Sequence, residues 1–410
     1  MKSLLFLETN STGTGSKAMK IAKEFGFKVH FWTIGFEQYS SMNEEEHPKN
    51  ICDEFLVIDT YDVKKMIKII KDRGLNFSGV LAFDDYHLYS AAAIAKEFSL
   101  PGHSLQSLER VRNKGIMREY LSNSQFELIL QPKYYIISSL EDLKMKEISF
   151  PCIIKPVDDS GSNGVSICAN KKQLKKALIE EMKRKVNERG YHLKNEWIVE
   201  ELLKGNEYSA EMIYSNGKWK LISITEKETF GNHSVECGHV TGLLDFSFDD
   251  LEYRISMLLN LFGLDYGAAH VEFFINDEIL YLVEINPRLA GDLIPELVEI
   301  ATGINMVKET VAQSVKEYTC IEHTKMKFAA IQFFLPTRIG KYKSVNKIDE
   351  LKQIDGFVRI SLNQLPYISN GVKSSYDRLG YVITSGETKE KAVNSAKKAI
   401  NMLEWSVIDE

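Results

Sequence analysis

Short apolar runs alternate with helical periodicity over the first hundred residues, and this alternation constrains the fold more than any other feature of the chain. Ser3–Leu7, Lys28–Thr33 and Ser78–Ala82 read as strands, and Ser16–Phe25, Val63–Lys71 and Tyr86–Phe98 as helices. Strands joined through helices run in the same direction, so an N-terminal Rossmann-like parallel sheet covered by helices is expected. Pro101 and Gly102 break the pattern. A helix at Lys114–Leu121 then leads into a small module. Its strands are Tyr134–Ile137, Cys152–Lys155, Val165–Cys168 and Trp197–Glu201, and its helix is Lys172–Arg184. From Tyr208 the pattern becomes antiparallel, with runs at Ala210–Tyr214, Lys218–Glu226, Gly267–Ile275 and Ile279–Ile285. Asn216-Gly217 and Asn276-Asp277 are suited to the hairpin turns. Helices near Asp249–Leu261 and Leu293–Thr302 should cover this sheet, and a further α+β piece ends in a helix at Lys389–Met402. A chain of 410 residues exceeds one ordinary core. The expected division is an α/β domain over 1–112, a lid and central part over 113–205, and an antiparallel, α+β part over 206–410.

Composition narrows the classes of function. A net charge of -6 argues against a nucleic-acid surface as the main business of the chain. Cys52, Cys152, Cys168, Cys237 and Cys320 are scattered without a C-x-x-C spacing, which fits reduced thiols in the cytoplasm. The apolar run in MKSLLFLETN is too short for a signal peptide, and none approaches the ~20 residues that span a bilayer. Neither nucleic acid nor membrane is expected as a partner; a homodimer is left open.

Three segments carry chemistry. In EINPRLAGDLIPEL, Glu284 and Asn286 share a strand face because side chains alternate with period two. Glu272 sits on the preceding strand of the same hairpin, near Glu284. Two carboxylates and an amide are hard oxygen donors suited to Mg²⁺, and Arg288 follows with a guanidinium able to grip a carboxylate or phosphoryl group. A solvated acidic hairpin edge has the same pattern. In CIIKPVDDSGSNGVSIC, Lys155 leaves an apolar strand just before a loop with Ser160, Gly161, Ser162, Asn163 and Gly164. Such a loop lets backbone N–H groups approach phosphates, or simply closes a hairpin. In WIVEELLKGNEYSAE, a strand runs into Glu200, Glu201, Leu203 and Glu207. A strand end can read adenine and a carboxylate the ribose hydroxyls, although acidic residues there are equally plain surface.

In their joint order these segments resemble the ATP-grasp superfamily, in which two α+β modules clamp ATP. The resemblance covers about Leu100 to Val311. It implies an ATP-grasp fold with a small lid domain and an antiparallel-sheet catalytic domain. Lys114 and Lys155 resemble the family's two phosphate lysines, and Asp159–Gly164 its lid loop, including Ser160, Gly161, Ser162 and Gly164. Glu200, Glu201 and Leu203 resemble the adenine hinge, and Glu207 the ribose carboxylate. Glu272, Glu284 and Asn286 resemble the ligands of two Mg²⁺ ions, with Mn²⁺ as a substitute. His270 with Glu272, the run NPRLAGDLIPELVEIATGI, and Glu236 and His239 in VECGHV resemble the L-amino-acid ligase branch. That branch uses free amino acids as acyl donor and amine. The implied activity is a carboxylate–amine ligase that forms a dipeptide through an acyl phosphate. Arg288 and His270 would be catalytic, and Glu236, His239 and Gly291 would contact substrate. The chain departs from many relatives in carrying Asn113 before Lys114 and Val240-Thr241 after His239, where a proline is frequent.

Smaller features have two readings each. Thr12–Ala18, T-G-T-G-S-K-A, is similar to a dinucleotide loop, but Lys28–Thr33 ends without the acidic residue an NAD site requires, so a tight turn is expected. Asp84 and Asp85 end a strand of the parallel sheet, where they would bind a substrate ammonium or cap the next helix. Asp377-Arg378 reads as a surface pair or a side-chain contact. Gly291-Asp292 reads as the approach to a helix N-terminus that could hold an anion or, equally, Asp292 reads as a simple helix cap. Competing functions are a biotin-carboxylase-like ligase activating bicarbonate, a non-catalytic ATP-binding regulator and an NAD-linked oxidoreductase.

Overall fold

The computed structural model describes every residue except 1, 11, 41, 232–234, 244–247, 318–320, 373, 409 and 410, so Cys320 lies outside the described residues. Strands β1 (Ser3–Leu7), β2 (Lys28–Thr33), β3 (Glu54–Val57) and β4 (Gly79–Ala82) form a parallel sheet in the order β3-β2-β1-β4. Around it lie α1 (Thr14–Glu24), α2 (Pro48–Ile51), α3 (Val63–Asp72) and α4 (Leu88–Glu97). Both sheet faces are covered, and β1 shows how. Leu4 and Phe6 pack with α1 and with helices Ile294–Thr302 and Met306–Ser314, while Leu5 and Leu7 pack with α3 and α4. β3 escapes the sequence reading because it is a short edge strand with little burial: Leu56 packs against the core, but Phe55 is 49% exposed and Val57 54%.

Two capped helices follow, α5 (Leu105–Arg112) and α6 (Lys114–Ser122). Asn113 accepts a hydrogen bond from the Ile116 N–H, so the departure from the family pattern at this position is an N-cap. Met117, Leu121 and Ile129 join the core of the large sheet rather than the lid. The lid sheet itself begins at Tyr134. The lid consists of β5 (Tyr134–Ile137), α7 (Leu140–Met145), β6 (Cys152–Pro156), β7 (Ser166–Cys168), α8 (Lys171–Glu181) and β8 (Trp197–Glu201). Its antiparallel strands run in the order β5-β8-β6-β7 over a core of Ile137, Ile154, Leu174, Leu178 and Trp197.

The remainder builds an eight-stranded sheet. Its first part contains β9 (Asn206–Ser215), β10 (Lys218–Phe230), β11 (Val235–Gly242), α9 (Phe248–Leu261), β12 (Ala268–Asn276) and β13 (Ile279–Asn286). Then come α10 (Ile294–Thr302), α11 (Met306–Ser314), β14 (Phe328–Phe334), β15 (Gly340–Asn346), β16 (Phe357–Leu362), β17 (Tyr367–Ser369), β18 (Gly380–Gly386), α12 (Lys389–Met402) and β19 (Glu404–Ile408). The large sheet has the order β13-β12-β9-β10-β11-β14-β18-β16, and β17-β15-β19 make a small second sheet. Asn216 and Gly217 both take positive φ, as a two-residue hairpin turn requires. In the β12–β13 hairpin the positive-φ pair is Asp277 and Glu278, one residue later than expected, because Asn276 pairs with Ile279. Among the described residues no helix is long and apolar enough to cross a membrane.

Candidate functional site

A cavity of about 360 Å³ lies where the parallel-sheet domain, the lid and the large sheet meet. Its wall includes Asp84, Asp85, Lys114, Lys155, Ser160, Gly161, Ser162, Glu200, Glu201, Leu203, Glu207, Glu236, His239, His270, Glu272, Glu284, Arg288 and Gly291. Of the positions singled out in the sequence, Asn286 and Gly164 stand just behind that wall. Asn286 is buried and donates its amide N–H to Glu284 at 2.8 Å. Gly164 has φ of 71°, and a Cβ there would lie 2.3 Å from the Glu181 carboxylate, so only glycine fits this turn of the loop.

The lid contributes the cationic side. Lys155 is the inward residue at the end of β6 and reaches Glu200 on the neighbouring β8 at 2.7 Å. Arg118 from α6 reaches the same carboxylate at 2.7 Å. Burial alone would raise the Glu200 pKa, but the two cations hold it down to about 2. Glu200 therefore serves as the counter-ion of Lys155, which differs from the expected contact with adenine. Glu201 accepts from the Lys133 N–H, and Leu202 and Leu203 continue the cavity wall beyond β8. Lys114 donates to the Asp159 carbonyl at 2.8 Å and faces Glu284 at 3.0 Å.

The large sheet contributes the acidic side. Glu272 and Glu284 are direct cross-strand partners on β12 and β13, with a bulge just beyond Glu272. Lys227 on β10 comes within 2.5 Å of Glu272, 3.6 Å of Glu236 and 3.8 Å of Glu207. Burial pushes the Glu207 carboxyl up to about 7, against the pull of Lys227 and helped by Glu272, Glu236 and Glu284. Glu272 is held well below the usual carboxylate range: burial opposes ionisation, and Lys227 and His270 overcome it. His270 hydrogen-bonds Glu211 at 3.0 Å and Glu272 at 2.9 Å. Burial disfavours its charge, yet the two carboxylates push its pKa up to about 9. Held between Glu211 and Glu272, His270 is biased toward its charged form and fixes Glu272 in place.

Arg288 follows the end of β13 and donates to Asp85 at 2.5 Å and to the Leu289 carbonyl at 2.8 Å. Asp85 also receives Arg112 at 2.9 Å. Asp84 accepts from the Tyr86 and His87 N–H groups, the His87 ring and Arg189. Neither aspartate is free for a substrate ammonium, which corrects that expectation. Asp292 is not a helix cap: it and Leu293 take left-handed φ ahead of α10, and its carboxylate binds Arg378 at 2.7 Å and His239 at 3.2 Å. Asp377 turns back onto the Ser374 N–H.

The cavity also contains residues the sequence reading missed. Lys227 had a partial signal, since Ser223, Thr225 and Lys227 alternate on one face of β10 beyond the bulge at Leu221–Ser223 and are buried. Arg378, read in the sequence with Asp377 as a surface pair or a side-chain contact, is instead 7% exposed and stacked 3.6 Å over Phe333. Glu272, Glu284 and Asn286 form an open group of oxygen donors. Among the described residues no closed cage of three or more acidic, histidine or cysteine side chains occurs. An open set is compatible with Mg²⁺, which keeps water or phosphate oxygens as its other ligands.

Residues 148–296 match an ATP-grasp domain, and residues 332–407 match the L-amino acid ligase C-terminal domain 2. An uncharacterized protein, y4rH, of Sinorhizobium fredii is 25% identical over 364 residues, covering 85% of this chain and 73% of that one. A D-alanine–D-alanine ligase of Pseudothermotoga lettingae is 27% identical over 166 residues, 38% of this chain and 51% of its own. The crystal structure of an L-amino acid ligase from Bacillus licheniformis superposes with a TM-score of 0.79 at 18% identity, covering 100% of this chain and 99% of that one.

Proposed function

We propose that this chain, an ATP-grasp ligase by its two matching domains, joins two L-amino acids into a dipeptide through an acyl phosphate, releasing ADP and phosphate. The observation that carries the reading is the convergence, in one cavity, of the paired carboxylates Glu272 and Glu284 with Lys114, Lys155 and Arg288. Opposite charges drawn from three parts of the chain suit a metal-bound triphosphate facing a carboxylate substrate.

Adenine is assigned to the strand end at Glu201–Leu203 and the ribose to Glu207. Two Mg²⁺ ions, held by Glu272, Glu284 and Asn286, would neutralise the phosphate oxygens and ease attack at the γ-phosphorus; Mn²⁺ would serve in their place. Lys114 and Lys155 bind phosphate oxygens. Lys227, already among carboxylates, adds positive charge beside Glu272. The substrate carboxylate attacks the γ-phosphate, and ADP leaves. The second amino acid's amine then attacks the acyl carbon, where Arg288 stabilises the tetrahedral oxyanion until phosphate departs. Asp85 keeps Arg288 in place. Glu236, His239 and Gly291 contact the amino acids. The lid keeps water from the acyl phosphate.

The test is a panel of amino-acid pairs with ATP and Mg²⁺. ADP, phosphate and dipeptide in equal amounts are expected, and Glu284→Ala should remove all three. AMP with pyrophosphate, or unchanged product from the variant, would overturn the reading.

A further inference from the structure

The lid sends one side chain into the far end of the cavity. Arg189 lies on the connection between α8 and β8, and its backbone is pinned twice: its N–H donates to the Asn187 side chain, and its carbonyl accepts from the Tyr61 hydroxyl. Its guanidinium donates through Nη2 to the Thr9 carbonyl at 2.7 Å and to Asp84 at 3.0 Å. The side chain is only 10% exposed, yet its Nε is buried without a hydrogen-bond partner. The Thr12 hydroxyl, on the wall of the same cavity, is likewise buried and unpartnered. An unmade hydrogen bond on a buried charged donor is costly, so a ligand that satisfies it binds more tightly for doing so.

The placement indicates which ligand. Asp84 and Asp85 are consecutive; Asp85 orients Arg288 and Asp84 orients Arg189, so two guanidiniums are anchored on adjacent residues of one loop. The nearby carboxylates do not oppose an anion there. Asp84 is shared between His87 and Arg189, and Glu8 is surrounded by the Ile34 N–H, Thr33, Gln38, Tyr39 and Thr60. The exposed Glu46 approaches the turn at Gly13 from outside. In the proposed reaction the acyl donor's carboxylate is consumed at Arg288, while the amine donor's carboxylate survives and needs its own partner.

We propose that Arg189 Nε and the Thr12 hydroxyl bind the α-carboxylate of the amine-donating amino acid; this assignment rests on the ligase reading. Arg189 thereby selects free amino acids over uncharged amines. The lid carries it, so the lid can reach its full set of contacts only with the second substrate present.

The experiment compares the wild type, Arg189→Gln and Thr12→Val with a productive amino-acid pair and with the α-amide of the amine donor. Hydroxylamine trapping reports the acyl phosphate separately. Wild type is expected to prefer the free acid at least tenfold. Arg189→Gln should lose that preference, with dipeptide yield falling at least tenfold relative to hydroxamate yield. Thr12→Val, a smaller change that also guards against misfolding of the arginine variant, should raise the KM of the amine donor several-fold. Retained preference in Arg189→Gln, or loss confined to acyl donors with acidic side chains, overturns the assignment. A wild type that yields no hydroxamate fails at the ligase reading instead.

Discussion

Replacing Glu200 by glutamine tests the electrostatic frame of the nucleotide end. Glu200 is 3% exposed and compensates two buried cations, Arg118 at 2.7 Å and Lys155 at 2.7 Å. Its pKa falls from an ordinary 4.5 to about 2, a change equivalent to about 3 kcal/mol of folding free energy. That agrees with the ~3–5 kcal/mol expected when one partner of a buried pair is removed. Because the folded pKa is depressed, this stability is present above pH 4.5 and is lost as pH falls through about 2. Urea unfolding at pH 7 should therefore show Glu200→Gln destabilised by about 3 kcal/mol. The gap should shrink steadily on acidification below pH 4.5. A variant as stable as wild type at pH 7, or a gap that ignores pH, would refute the argument.

Two further perturbations act on neighbouring groups. Glu207 is raised to about 7, so the stability of its protonated form is present below 4.5 and lost as pH rises through 7; Glu207→Gln should raise the unfolding temperature at pH 8, without nucleotide or Mg²⁺, and leave it unchanged at pH 4. Asp85→Asn removes the partner that orients Arg288 and Arg112. It should lower kcat about a hundredfold, as expected for a displaced oxyanion donor, while ADP affinity measured by calorimetry stays within about twofold.

The acidic row was legible because strand periodicity fixes the shared face of Glu284 and Asn286. Its opposition to Glu272 was legible only in outline. The turn lies one residue later than the composition indicates, and the bulge between Glu272 and Phe273 shifts the register so that Glu284, rather than Val283, faces Glu272. Nothing in the local sequence marks that bulge. Glu200 shows a second limit: alternation places it inward on β8, but only the tertiary arrangement brings Arg118 and Lys155 to it. Arg189 reaches the cavity from a loop, where no periodic pattern exists to reveal it. β3 was missed because this edge strand packs only Leu56 against the core, too little to leave an apolar pattern.

The most direct test of the central claim is product stoichiometry. The purified protein is given ATP, Mg²⁺ and all pairs of L-amino acids, and ADP, phosphate and dipeptide are quantified together. At least one pair should give the three products in a 1:1:1 ratio. Phosphate release without a peptide from any pair, or AMP in place of ADP, would contradict the account.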